Sequence, residues 1–382
     1  MWFLIKEGTA YQWPAIDMVP FLKQALGQSQ LVNDFFYNTS FKPNPRFIFG
    51  YVMLGIIKLF SLDWYTGLYT LKLILVITIP IAYFCFIRIV LKRYIADEAI
   101  KYTNPIIFLF IIAVIIPRIG NLFTIAWWPP FMVQATGQTL SLLIGLFGIT
   151  MSEMKFKRIS YFLFFISTLI HPAIGLFILI FYGLIIMPFL EIKDYFIQVL
   201  LGGFVPSILI RFLFKNKIDL ESSIFVKIYA IDNHASHYHL SNFGTSTIFP
   251  WYFSLIAVSL LILIATLYYL LVKEIKLLKL SILFLISYLM SIVLQYLFID
   301  IFPSKIVASL GLVRFTQFGY WMLVILYIPI VLKCFKKQIF FDKVIVPKIG
   351  GTLLLFLLIF QFIIGIILID NPISEKRKQY EN

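Results

Sequence analysis

The side chains able to do chemistry in this chain are few, and they gather in short stretches. Asp17 stands between Pro14 and Pro20 at the start of an amphipathic run, and Asn33-Asp34 comes directly before Phe35-Phe36-Tyr37. A carboxylate held near a low-dielectric boundary can take a proton as a general base or hold a metal ion. Aspartate is also a favoured helix N-cap, so capping is the alternative for both residues.

His171-Pro172 interrupts an apolar stretch, with Gly175 in the helix that follows. A histidine there can bind a phosphate or a substrate hydroxyl, and the proline frees backbone groups to line a cavity. The alternative is a histidine satisfied by a neighbouring helix. His234, His237 and His239, with Tyr238 between them, lie in the polar segment DNHASHYHLSNFGTSTIFPW. The HxxHxH spacing offers zinc ligands, but no cysteine or HExxH helix accompanies it, which makes a metal the weaker reading. Hydrogen bonding to a sugar or a phosphate is the stronger one. A loop of this length is usually functional or disordered, and its histidines and aromatics favour order.

Arg314 sits in GLVRFTQFGYWML, with Gln317 one turn on and Trp321 beyond. A guanidinium at membrane depth wants an anionic partner, and its fork suits a phosphate or pyrophosphate. The competing possibility is an internal ion pair with Asp17 or Asp300. Arg118 stands near Trp127-Trp128-Pro129-Pro130 and Gln134/Gln138, a polar and aromatic stretch in which Trp128 can stack on a sugar ring or sit in the interfacial belt. Arg211 lies near the outer end of another apolar run.

These residues need elements to hold them, and the composition names the kind. Of 382 residues, 61% are apolar and 13% charged, and the mean hydropathy is +0.95. A soluble domain carries about a quarter charged residues. A cytosolic enzyme, a nucleic-acid module and a disordered chain are therefore excluded, and an all-α polytopic membrane protein is expected. The net charge of +14 is read as topology, because most of the basic residues border apolar runs. Cys85 and Cys334 both fall in or beside such runs and offer no disulfide framework.

Apolar runs are read at 69–91, 104–117, 131–150, 158–171, 173–190, 197–214, 250–272, 280–302, 315–333 and 350–369. That predicts about ten spans. Lys92, Arg93 and Lys101, then Lys155, Lys157 and Arg158, then Lys273, Lys276 and Lys279, then Lys333 to Lys348 occupy alternate connectors, so those connectors are expected on the cytoplasmic side. The opposite, outer face then receives all the candidate residues named above.

The expected organisation is an outer N-terminal segment over 1–68, a transmembrane domain over 69–370 with a long outer loop at 215–249, and a polar tail over 371–382. Phe47–Leu62 is apolar but short and carries Lys58, so it is expected to lie along the outer surface as a juxtamembrane helix. The chain is expected to begin on the outer side, with no secretory signal before it. There is no glycine-rich phosphate loop, which argues against an ATP-driven pump.

An outward first loop with an acidic residue, juxtamembrane helices, and about ten spans with short basic turns resembles the GT-C superfamily of membrane glycosyltransferases. The likeness extends to uncharacterised bacterial multi-pass proteins, through Asn33-Asp34-Phe35, His171-Pro172-Ala173-Ile174-Gly175 and the histidines from His234 to His239. Its motifs are short, and it covers most of the chain in layout only.

The resemblance implies a sugar carried on a polyprenyl phosphate and transferred, with inversion, to a glycan, lipid or protein acceptor. Transfer is implied at the outer face of a bacterial inner membrane, with no nucleic acid involved. By position the catalytic base would be Asp17, with Asp34 next. The departing phosphate would be stabilised by Arg314 with Arg211 or His171. No soluble cofactor is required, and a divalent cation is possible. Against the family's pattern, the first loop is expected to follow no membrane-spanning helix in this sequence, and it holds no pair of adjacent acidic residues. Competing readings are an outer-face polysaccharide polymerase or ligase, which leans on arginines, a transporter or flippase, and a scaffold protein. No internal repeat supports transport.

Overall fold

The computed structural model describes Leu22, Leu26, Ile100 and residues 47–96, 103–115, 136–190, 192–213, 221–232 and 251–336. Among these residues the secondary structure is helical, with no strand. Among the described residues, six helices are long and apolar enough to cross a membrane: Thr66–Leu91, Pro172–Phe189, Lys193–Phe212, Tyr252–Leu271, Ile275–Ile301 and Lys305–Lys333. The run at 350–369 and the tail at 371–382 lie outside the described residues.

The described parts of the apolar runs at 104–117, 131–150 and 158–171 are also helical. We number the helices α1 (Phe47–Leu59), α2 (Trp64–Leu91), α3 (Thr103–Ile115), α4 (Gly137–Glu153), α5 (Lys157–Ile170) and α6 (Pro172–Ile186). Next come α7 (Ile192–Val199) and α8 (Val205–Leu213), joined by a π-helical turn at Leu200–Phe204. The series closes with α9 (Ser222–Val226), α10 (Trp251–Leu271), α11 (Ile275–Tyr296), α12 (Lys305–Leu310) and α13 (Gly319–Lys336). Helices α4 and α5 have 17 and 14 residues, short of the ~20 that a full span takes. The stretch expected as a long loop at 215–249 contains a helical piece, since α9 continues as a π-helix over Lys227–Asp232. The reason is burial: Val226 and Ala230 pack with Ile299 and Ala308.

The chain divides into two compact units, one of residues 1–90 and 132–221, the other of residues 91–131 and 222–382. In the first, α4 and α5 form an antiparallel hairpin held by small hydroxyl residues. Ser141 Oγ donates to the Ser167 carbonyl at 2.8 Å, and Ser167 Oγ returns the bond to the Ser141 carbonyl at 2.8 Å. At the other end of the pair, Ser160 Oγ donates to the Gly148 carbonyl at 2.9 Å. With lipid around a bundle there is little hydrophobic drive between helices, so small residues and interhelical hydrogen bonds supply the adhesion.

The π-helical turn has a local cause. Pro206 has no N–H to give the Gly202 carbonyl four residues earlier, and Thr168 Oγ1 donates to that carbonyl at 2.6 Å instead. A Cβ on Gly202 would fall 2.5 Å from Phe164 Cβ, so the approach needs glycine.

In the second unit, α13 is the most enclosed span. In the 18-residue apolar window of Lys305–Lys333, 94% is buried, against 39% in the corresponding windows of Tyr252–Leu271 and Ile275–Ile301. A helix apolar all round belongs in an interior. Tyrosines tie it to its neighbours: Tyr327 Oη donates to the Leu261 carbonyl at 2.9 Å, Tyr320 Oη to the Phe110 carbonyl at 2.7 Å, and Tyr269 Oη to the Leu326 carbonyl.

Candidate functional site

In the second unit the chain reaches Arg314 through a sharp turn. Helix α12 ends at Gly311, whose backbone is left-handed (φ 63°, ψ 70°) and whose N–H bonds the Val307 carbonyl at 2.8 Å. Glycine adopts that conformation without the Cβ clash of other residues. The chain then winds as a 3₁₀-helix over Leu312–Phe318 before opening into α13.

A 3₁₀-helix has three residues per turn, so side chains three apart lie one above the other. Phe315 and Phe318 obey this, with ring centroids 5.5 Å apart. Arg314 and Gln317 form the parallel pair on another face, and both are buried, at 7% and 6% exposure. An arginine at membrane depth costs about 2.5 to 3.5 kcal/mol even on insertion scales, so its retention there points to a role.

The 3₁₀-helix packs on α11, which runs antiparallel to it and to α13. The start of α11 meets the end of α13, where Lys333 pairs with Glu274. The end of α11 meets the start of the 3₁₀-helix, where the Val313 N–H donates to Gln295 Oε1 at 3.4 Å. The inward stripe of α11 carries Ser281, Tyr288, Ser291 and Gln295, all buried. The Ser281 and Ser291 hydroxyls donate to the Leu278 and Tyr288 carbonyls of their own helix, while Gln295 reaches the segment that holds Arg314.

In the first unit, His171 closes α5 and caps α6. Its Nδ1 accepts the Ile174 N–H at 3.3 Å, and Pro172 takes the first helical position, where no N–H is needed. An accepting Nδ1 leaves the neutral ring with its proton on Nε2, the tautomer that donates to a phosphate or hydroxyl. Capping and binding, separate possibilities from the sequence, are thus compatible in one ring. Arg211 is exposed in the last turn of α8, a position that suits a cation at the negative end of a helix.

Residues Asp17, Asp34, Arg118, Trp128, His234, His237 and His239 lie outside the described residues. Of the sequence candidates, the structure brings together Arg314 and Gln317. It sets His171 and Arg211 on separate helices of the first unit.

Two polar groups escaped the sequence reading. One is Tyr288, the buried one of two tyrosines in an apolar run. The other is a network in the first unit: Tyr182 Oη lies 2.9 Å from Ser152 Oγ and 2.7 Å from Glu153 Oε1, while Gln198 Nε2 donates to Ser152 Oγ at 2.5 Å. The Lys157–Asp194 ion pair, at 2.5 Å, joins the start of α5 to α7, and both side chains are half exposed. Helical spacing of Gln198 and Asp194 in α7 was the only sequence signal for this cluster. Among the described residues no group of three or more His, Cys, Asp or Glu side chains could hold a metal ion.

No protein-family model matches the chain, no curated protein matches its sequence, and no solved structure matches its fold.

Proposed function

We propose that this chain is a membrane glycosyltransferase of about ten spans, with a GT-C-like arrangement, in a bacterial inner membrane. It moves a sugar from a polyprenyl-phosphate donor to a glycan, lipid or protein acceptor on the outer face. The observation that carries this reading is the burial of Arg314 beside Gln317 on a 3₁₀-helix inside an apolar bundle.

The chemistry follows from charge. Glycosyl transfer from a phosphate donor builds negative charge on the departing oxygen as the sugar bond breaks. A fixed guanidinium in a low-dielectric site stabilises that charge more than water would, and without reorganising. The acceptor hydroxyl must lose a proton as it attacks, and a carboxylate serves as the base. Asp17 takes that role in this reading, with Asp34 second, and the leaving phosphate falls to Arg314.

The test is lipid co-purification. Wild-type protein extracted gently from membranes should carry a polyprenyl-phosphate lipid detectable by mass spectrometry, and Arg314→Gln protein of equal thermal stability should not. Equal recovery of phosphate lipid from both proteins, or none from either, would refute the assignment of Arg314.

A further inference from the structure

The second unit holds two buried donors that the proposed reaction has not used. Tyr288 is fully buried in α11 and Gln317 is 6% exposed, and among the described residues neither Tyr288 Oη nor Gln317 Nε2 has a hydrogen-bond partner. A polar hydrogen with no acceptor in an apolar interior is costly, and most native structures avoid it.

Their depths coincide. Gln295 and Val313 are in contact, which fixes the register of α11 against the 3₁₀-helix. From Gln295 back to Tyr288 is seven α-helical residues, about 10 Å along the axis. From Val313 forward to Gln317 is four 3₁₀ residues, about 8 Å in the same direction because the two segments are antiparallel. Tyr288 and Gln317 thus stand within about 3 Å of one level. Arg314 begins one 3₁₀ turn away, about 6 Å, a distance its long side chain can cover.

We infer that the Tyr288 hydroxyl and the Gln317 amide donate to the same oxyanion that Arg314 holds, making Tyr288 a third binding residue of that site. The inference rests on the proposed anion site at Arg314 and adds to it a group on a different helix. One cation and two neutral donors compensate a single negative charge. The site therefore suits a singly charged phosphodiester better than a diphosphate, whose extra charge would stay unpaired in a low-dielectric interior.

The experiment measures binding of a radiolabelled farnesyl methyl phosphodiester, which carries one negative charge, to the full chain in nanodiscs, for wild type, Arg314→Gln and Tyr288→Phe, with a thermal melt of each. Tyr288→Phe removes only the hydroxyl. The expected result is a loss of affinity on the order of tenfold, the worth of a hydrogen bond to a charged group, with an unligated melting temperature equal to or above wild type. A purely structural hydroxyl, bridged by a buried water, would give the opposite: a lowered melting temperature and unchanged affinity. That outcome overturns the role of Tyr288 while Arg314→Gln still abolishes binding. Should wild type fail to bind the probe, or Arg314→Gln bind as wild type does, the anion site itself fails and this inference falls with it.

Discussion

Arg314 and Gln317 stand one turn apart on a 3₁₀-helix, buried on a shared face, and the left-handed Gly311 sets where that helix begins. An α-helical start to α13 would turn Gln317 about 60° away from Arg314. The short stretch of tighter winding is therefore what aligns the two side chains.

Gly311→Ala tests that alignment. A left-handed conformation costs a non-glycine residue about 1 to 2 kcal/mol, so the variant should melt lower in detergent by a matching amount. Binding of a phosphate lipid should weaken along with it. A melting curve identical to wild type would show that the turn is not strained by a Cβ.

The α4–α5 hairpin makes a separate prediction. Ser141 and Ser167 exchange two hydrogen bonds, so a double-mutant cycle of Ser141→Ala and Ser167→Ala should give a favourable coupling energy. Membrane helix pairs average about 0.6 kcal/mol, and a reciprocal pair should lie at or above that value. Additive effects within error would mean that the two serines do not hold the hairpin together.

Gly175 packs directly against backbone in the first unit. A Cβ there would fall 2.5 Å from Thr168 Cα, which is backbone and cannot step aside. Gly175→Val should therefore abolish a monodisperse peak in size-exclusion chromatography, whereas Gly55→Ala, where no atom lies within 4 Å of the added carbon, should leave the peak unchanged.

The helical scaffold was legible in part from the sequence, because hydropathy is a long-range average that survives local detail. The apolar runs at 69–91, 250–272 and 280–302 became α2, α10 and α11 with small shifts of end. The break at His171-Pro172 was legible because proline fits only the first turn of a helix. The helical content of Ser222–Asp232 was not, since its burial depends on Ile299 and Ala308, which lie far along the chain. Arg314 and Gln317 were found from residue type alone. Tyr288 was missed because a tyrosine in an apolar run reads as core, and the chain has 21 tyrosines. Only the register set by Gln295 and Val313 distinguishes it.

Sidedness is testable without any substrate. Lys155 and Lys273 sit in the tight turns between α4 and α5 and between α10 and α11, both in left-handed conformation. Pro303 is exposed beyond the end of α11. In a background lacking native cysteines, Lys155→Cys and Lys273→Cys should react with a membrane-impermeant maleimide only after permeabilisation, and Pro303→Cys in intact cells. Labelling of the two lysine positions from outside would invert the assigned topology.

Sugar transfer itself is the most direct test of the account. Purified protein in nanodiscs, given polyprenyl-phosphate sugars and a membrane extract as acceptor, should consume one donor and release polyprenyl phosphate. Arg314→Gln and Asp17→Asn should each lower the rate by at least a hundredfold, the usual worth of a charge-stabilising group or of a general base. Stable, folded wild-type protein that consumes no donor, or an Arg314→Gln variant that consumes it at the wild-type rate, would contradict the account.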